Sequence, residues 1–491
     1  MKKRIIVVGG GHSGVEAASV CARMGFDTLL ITQNIETIGK MSCNPAIGGV
    51  GKGNLVVELD ALGGVMGKAA DRCGIQFRVL NRSKGPAVWG LRAQEDRIKY
   101  LFWIQRYLFS LKNLLIRQGI AEEILIERNK VKGVKLLDGE EIKADAVILS
   151  PGTFLNGTIY IGDVSYGGGR TNEPPSQLSN FLKSLGLRVK RFKTGTPMRV
   201  LGSTVDFRKM DKQEGDIDPI PFSIHTKRIS IKQVPCYITY TNKEIHQIIL
   251  DNLKLSPMFS GKITGIGPRY CPSMEVKVYR FQDKARHQIF VEPETKEYKE
   301  VYLNGFSMSL PIWVQEKILK ILPGFEKAKM TRPAYAIEYD IVEPTQLQKN
   351  LMLKDIEGLF LAGQINGTSG YEEAAVQGFM AGINACLFLK NEEPFILKRE
   401  ESYIGVLIED IINLGIDEPY RIFTSRAEYR LSLGFRSARR RLIDYGFKYK
   451  LISEKIYEKV KKFEEKVENL SQELEERKIY PSKEMREKIF K

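Results

Sequence analysis

The sequence predicts an α/β protein whose nucleotide-binding fold opens the chain, is interrupted by an inserted α+β domain, and resumes ahead of a helical C-terminal region. Three observations predict it: a strand–glycine turn–helix unit at residues 5–18, a change of texture over residues 199–350, and a second strand–glycine–helix unit at residues 358–378. A chain of 491 residues is long enough for two or three domains, each with its own core. The expected layout is residues 1–198 for the first part of the nucleotide-binding domain and 199–350 for the insert. Residues 351–392 form the second part, and 393–491 a helical, basic region.

The first unit reads Ile5-Ile6-Val7-Val8, then Gly9-Gly10-Gly11-His12-Ser13-Gly14, then a helix rich in small residues and a second apolar strand at residues 28–31. An unbroken apolar run suits a parallel strand buried on both faces, and small residues after Gly14 let the helix lie close to it. Residues 46–67 read as glycine-rich and irregular, and residues 91–117 as helical with an aromatic and leucine-rich face. Strands are expected at 121–126, 131–137 and 144–149, with Asp138-Gly139 as a turn. Short strand-like pieces and many prolines mark 199–350 as the insert. The run Gly358-Leu359-Phe360-Leu361-Ala362-Gly363 then reads as a buried strand leading into an alanine-rich helix that ends near Cys386. Residues 454–477 read as a solvated helix of interspersed Lys and Glu.

Composition excludes some classes. Apolar residues make up 43% and charged residues 27%, and no stretch approaches the eighteen or so apolar residues of a membrane span. The basic start Met1-Lys2-Lys3-Arg4 is followed by too short an apolar run for a signal segment, so a soluble, cytoplasmic protein is expected. Six cysteines show no CxxC pairing and four histidines no HxxxH spacing, which predicts free thiols and no metal site. Lys and Arg exceed Asp and Glu by 75 to 59, and the formal charge of +16 leans modestly towards a polyanionic partner.

In Gly9-x-Gly11-x-x-Gly14 the first glycine permits the tight turn, the second lets backbone approach a pyrophosphate, and the third permits helix–strand contact, while the helix N-terminus stabilises negative charge. The acid that usually binds the ribose is missing, since the second strand ends at Thr32-Gln33-Asn34 and Glu36 falls too late. Two glycine–helix elements far apart suit FAD better than NAD, so the predicted fold is a Rossmann-type FAD-binding fold. Cys43, ahead of a glycine-rich loop where a flavin ring would lie, is a redox or nucleophilic candidate or an inert packed thiol. Cys271 sits two residues after Arg269 in a turn-like run opened by Gly267, where a cation favours the thiolate; a structural thiol stays equally open. The loop from Gly48 to Lys52 lacks the spacing of a phosphate loop. Arg421, Arg426 and Arg430 interleave with aromatics, and Arg436, Arg439, Arg440 and Arg441 follow, a mix that suits RNA phosphates and stacked bases or a solvated surface.

The runs GGGHSGVEAA, MSCNPAIGGVGKG, GGVMGKAADRCGIQFRVLNRSKGPAV, SPGTFLNGTIYIG, KTGTPMR, QVPCYITYTN, GPRYCPSMEVKV, AGQINGTSGYEEAAVQG and EPYRIFTSRAEYRL resemble the FAD subunit of the tRNA uridine 5-carboxymethylaminomethyl modification enzyme, the GidA/MnmG family. The resemblance covers residues 2 to about 450. It implies FAD and NADH as cofactors, methylene-tetrahydrofolate as carbon donor, glycine or ammonium as nitrogen donor, a GTP-hydrolysing partner, a homodimer, and tRNA uridine 34 as target. By the same resemblance Gly9, Gly10, Gly11, His12, Ser13 and Gly14 hold the FAD pyrophosphate. Ala121, Ser176 and Gln364, beside Gly363, make further FAD contacts; the segment from Gly267 to Phe281, with Arg269, takes NAD; and Cys43 and Cys271 are the cysteines tied to activity. The family continues into a further helical region that contacts the GTPase and tRNA, so a chain ending at Lys491 has the form of a truncated member. Two alternatives stand beside this reading. One is the related folate- and FAD-dependent tRNA uridine-54 methyltransferase, normally shorter and without the PCYITYTN and SRAEYRL runs; the other is a non-catalytic RNA-binding flavoprotein.

Overall fold

The computed structural model describes residues 2–270, 272–477, 482 and 488. Five parallel strands form its central sheet: β1 (Arg4–Val8), β2 (Asp27–Thr32), β3 (Leu114–Gln118), β4 (Ala146–Leu149) and β5 (Leu359–Leu361), in the order β5-β4-β1-β2-β3. Val7 pairs with Leu30 on one side and Ile148 on the other, and the three inner strands are buried almost throughout, which is why they read as continuous apolar runs. Although β5 lies more than 200 residues after β4 in sequence, Ile148 pairs with Phe360, so the Rossmann-type sheet is completed only after the insertion.

Helices α1 (His12–Arg23) and α3 (Tyr371–Lys390) pack on this sheet, and α2 (Lys52–Leu62) packs against α3. The crossing of α1 and α3 depends on small residues: a Cβ on Gly378 would collide with the Ser13 carbonyl, and one on Gly382 with Val20. Asn391, in the left-handed conformation, ends α3.

A nine-stranded antiparallel sheet forms the second layer, with the long strand Val189–Leu201 near its centre. The first half of this strand pairs with Tyr335–Val342, which supports the nucleotide site, and the second half with Glu300–Ser307. The expected boundary at 198/199 therefore falls inside one continuous strand. A separate apolar core, including Met198, Ile249, Leu303, Phe306 and Ile318, lies between that far half and the helices Lys243–Asp251, Met274–Arg280 and Ile312–Leu319. These elements make the insert α+β.

Two segments differ from their sequence reading. Residues 46–67 are ordered: strand Ala46–Gly48 leads into α2, which is buried along nearly its whole length. Its glycines serve close approach; a Cβ on Gly51 (φ +77°) would press on the Phe423 backbone at 2.9 Å, and one on Gly53 on the Leu91 backbone at 2.6 Å. Residues 91–117 are strand Gly90–Glu95, helix Arg97–Phe109, then β3. Asp96 divides them by accepting a hydrogen bond from the Lys99 N–H at 3.0 Å as the helix N-cap. The C-terminal helix α4 (Glu454–Glu476) is charged as expected, and it exposes Phe463, Val467, Leu470 and Leu474. No helix among the described residues is long and apolar enough to cross a membrane.

Candidate cofactor and active site

β1 delivers the chain into Gly9, whose φ of +109° and whose approach to Ser150 both require glycine: a Cβ there would collide with the Ser150 carbonyl. A Cβ on Gly14 would collide with the Gly9 carbonyl, whereas one on Gly11 would meet nothing within 4 Å. Gly11 thus faces open space at the N-terminus of α1, where backbone can approach a pyrophosphate. That space belongs to a cavity of about 430 Å³. Gly9 to Ser13, Ala121, Ser176 and Gln364 all line it, so residues far apart in sequence meet there. Ser176 Oγ donates to the Ala121 carbonyl at 3.2 Å, joining two of these walls. Gly363, with φ of +86°, is outside the cavity lining, and a Cβ there would press on Ser13 at 3.0 Å. His12 is 7% exposed and stacks on Tyr371 at 4.5 Å. Burial pushes its imidazole down to about 4, against the opposing pull of Glu372, so the ring is neutral at physiological pH.

Beyond the second strand the cavity is bounded by Thr32, Gln33, Thr37, Lys40, Arg170 and Glu173. Glu173 is the acid at this end; Arg170 holds it at 2.7 Å and Lys40 at 3.3 Å. It comes from a loop far from the strand end where the acid is normally sought. The shape and donor set of the cavity therefore fit FAD: an open glycine turn at a helix start, a polar end past the second strand, and a second helix, α3, entering from the far side.

Cys43 lines the same cavity and is half-buried. Its N–H donates to Tyr371 Oη at 2.6 Å, and its Sγ lies 3.0 Å from Tyr302 Oη. Burial holds the Tyr302 phenol well above its ordinary range, so that hydroxyl stays protonated and can donate to a sulfur. Arg199 donates to the Ser42 and Cys43 carbonyls at 3.0 and 3.3 Å and lies 5.0 Å from the Tyr302 ring centre. Burial works against the Arg199 charge, but Glu294, at 2.8 Å, more than restores it. Across the cavity Lys52 bridges Glu372 at 3.0 Å and Glu373 at 2.8 Å, and Glu372 also accepts the Gly48 N–H at 2.7 Å. Here too burial opposes the cation and the carboxylates prevail, keeping Lys52 charged. The Cys43 sulfur thus lies beside a neutral donor, its backbone is held by the buried Arg199, and the half-buried Lys52 holds the Glu372 that accepts the Gly48 N–H.

Gly267 and Arg269 lie elsewhere. Gly267 packs near Lys193, while Arg269 is exposed and borders a second hollow of about 440 Å³ with Asp410, Glu418, Tyr420 and Arg426. Cys271 lies outside the described residues.

The model of the family described as glucose inhibited division protein A matches residues 4–393, most of the chain. The chain belongs to this family. It is 56% identical over 487 residues to the tRNA uridine 5-carboxymethylaminomethyl modification enzyme MnmG of Thermodesulfovibrio yellowstonii, which spans 99% of this chain and 78% of that relative. The corresponding protein of Caldicellulosiruptor saccharolyticus is 53% identical, over 97% of this chain and 76% of its own. Among solved structures, Aquifex aeolicus GidA in its form I crystal superposes with a TM-score of 0.94 at 47% identity, covering 98% of this chain and 81% of that one. Its form II crystal gives 0.92 at 46% identity, with 97% and 78% covered.

In this chain the arginine run divides by environment. Arg421 lines the cavity, and its Nε donates to Ser369 Oγ at 3.2 Å. Arg426 lies over the Tyr420 ring at 4.2 Å, and Arg441 binds the fully buried Glu58 at 3.0 Å. Arg436 lies 4.5 Å over Trp89, Arg439 is half-buried, and Arg430, Arg436 and Arg440 are exposed. Sequence reasoning did not single out Arg199, Tyr302, Glu173, Lys52 or the Glu372–Glu373 pair. The signals available were the charged pair opening a helix after Ser369-Gly370, and the single arginine in KTGTPMR.

Proposed function

We propose that this chain is the FAD-binding subunit of a tRNA-modifying enzyme that acts at carbon 5 of wobble uridine 34. The observation that carries the reading is the meeting, in one 430 Å³ cavity, of an open glycine turn and a clamped thiol, Cys43. The relatives above 50% identity are tRNA uridine 5-carboxymethylaminomethyl modification enzymes, which supports a tRNA uridine as the target. Gly9 to Gly14 would hold the FAD pyrophosphate, Ala121, Ser176 and Gln364 would contact the cofactor, and Gln33 with Glu173 would take the ribose end. Bound FAD supplies hydride transfer, with NADH as the source of reducing equivalents.

Carbon 5 of uracil is a weak nucleophile until a group adds at carbon 6. In this reading the Cys271 thiolate, favoured by Arg269, forms the S–C6 bond and sends the ring electron pair into an enolate. Carbon 5 then attacks the iminium carbon of methylene-tetrahydrofolate, loss of the C5 proton and departure of the thiolate restore the ring, and the amine of glycine or ammonium displaces the folate nitrogen from the new methylene carbon, releasing tetrahydrofolate. Cys43 serves on the cofactor side of the site. A GTPase partner, a homodimeric assembly and a cytoplasmic setting complete the proposal, with residues 199–350 serving the substrate and NADH and 393–491 the tRNA. The test supplies tRNA, NADH, methylene-tetrahydrofolate, glycine or ammonium and the GTPase partner, then quantifies nucleosides by mass spectrometry. Cys271→Ser is expected to keep FAD and bind tRNA while making no modified uridine. Normal product from that variant would remove Cys271 from the chemistry.

A further inference from the structure

Two partly exposed segments are rooted on one short stretch of the cavity wall. That stretch, residues 48–52, gives Gly48 and Lys52 to the lining. The loop of residues 81–89 returns onto it: a Cβ on Gly90 would collide with the Gly49 carbonyl at 2.5 Å, and the Gly49 N–H donates to the Leu91 carbonyl at 2.7 Å. The run of residues 421–440 starts from the same place, with the cavity-lining Arg421 followed by Phe423, whose backbone is seated against Gly51. The two segments then meet a second time. Arg436 lies 4.5 Å over the Trp89 ring, and a Cβ on Gly434 would touch the Pro86 carbonyl at 3.9 Å.

The loop of residues 81–89 is held in shape by its own bonds. Asn81 is left-handed (φ +59°); its carbonyl accepts the Lys84 N–H at 2.9 Å, and its side-chain amide donates to the Val88 carbonyl at 3.3 Å. Trp89 Nε1 donates to the Arg82 carbonyl at 3.1 Å. These bonds close the loop and leave residues 82–84 exposed. Asp216 engages Arg82 at 2.9 Å. Lys84 meets no carboxylate among the described residues, and neither do the exposed Arg430, Arg436 and Arg440 of the facing run. Four uncompensated cations on two touching segments repel one another until an anion lies against them. Their spread along both segments suits a chain of phosphates rather than a single one.

We propose that the loop of residues 81–89, with Lys84 as its phosphate contact, is the second half of an RNA interface whose first half is the arginine run from Arg430 to Arg440. This rests on the tRNA reading above and deepens it by adding a contact segment from the nucleotide-binding part of the chain. The Arg436–Trp89 contact holds the two halves together, and their shared root on residues 48–52 ties both to the wall of the cavity.

The test combines lysine footprinting with a salt series, both on the FAD-loaded chain and an unmodified tRNA that carries uridine at the wobble position. Saturating tRNA is expected to suppress acetylation of Lys84 by an N-hydroxysuccinimide ester, read by peptide mass spectrometry. Lys84→Ala is expected to lower the slope of log K against log salt by about 0.7 to 0.9 and to weaken binding about tenfold at about 50 mM salt, while Lys84→Arg keeps both at the wild-type value. Flavin absorbance after gel filtration confirms the folded, loaded state of each variant. An unprotected Lys84, or an unchanged slope in Lys84→Ala, with tRNA still bound by the wild type, would overturn the loop's part and leave the tRNA reading in place. Protection of Lys84 by polyglutamate and not by tRNA would overturn it in favour of an acidic protein partner. Failure of the wild-type chain to bind tRNA would overturn the tRNA reading and this proposal with it.

Discussion

Gly11 and Gly14 belong to one motif, but their surroundings separate their roles, and substitution distinguishes them. Gly14 cannot take a Cβ without colliding with the Gly9 carbonyl, so Gly14→Ala is expected to destabilise the fold by about 1–3 kcal/mol, read by denaturant titration. A Cβ on Gly11 meets only open space, so Gly11→Val is expected to fold with wild-type stability in the absence of cofactor and to lose FAD, read by absorbance of the purified protein. Loss of stability in the Gly11 variant would reassign that glycine to packing. The motif was legible in sequence because each glycine answers a local backbone demand. Cys43 could be nominated in the same way, but its partners could not. Tyr302 and Arg199 reach it from strands more than 150 residues away, and no local pattern marks a residue for a contact made across two sheets. Tyr302→Phe removes the hydroxyl beside the sulfur and is expected to slow iodoacetamide alkylation of Cys43 about fivefold or more at neutral pH, followed by peptide mass spectrometry.

Among the elements, β1, β2, β4 and β5 were legible from their apolar runs and α3 from its alanine-rich sequence, whereas the half-exposed edge strand β3 was read as part of a helix and α2 was hidden by the glycines that precede and open it. Those glycines mark a helix pressed against backbone, which in sequence is indistinguishable from a loop. The seating of α1 against the helix Met66–Cys73 adds a pH response. Glu16, buried in α1, accepts the Val65 N–H at 3.0 Å and the Met66 N–H at 2.8 Å, yet burial outweighs these bonds and pushes its carboxyl up to about 7. The folded state therefore holds a proton that the unfolded chain releases near its ordinary value of 4.5. Stability from this group is greatest at low pH and is lost as pH rises from about 4.5 through about 7. Glu16→Gln, which cannot ionise, is expected to remove this fall from the thermal midpoint measured across that window. A slope equal to that of the wild type would show that Glu16 is ionised in the fold.

At the scale of the whole molecule, residues of two sheets line the cofactor cavity, and Arg421 from the C-terminal region joins them. The sequence showed a single arginine run, but folding divides it between support and surface. Arg441 neutralises the buried Glu58, whose carboxyl burial raises despite that partner, so Arg441→Ala is expected to cost about 3 kcal/mol of stability, measured by denaturant unfolding. Arg430, Arg436 and Arg440 are exposed, and their replacement is expected to leave stability within about 0.5 kcal/mol. Their effect belongs in RNA binding. Each phosphate neutralised releases condensed counterions, steepening the fall of log K with log salt by about 0.7 to 0.9. Replacing all three by alanine is therefore expected to flatten that slope by about two units if each meets a phosphate, with affinity for tRNA falling most at low salt. The measurement is a salt titration of tRNA affinity with the FAD-loaded chain. An unchanged slope would leave these arginines to solvation and move the RNA contact to the Arg421 end, next to the cavity.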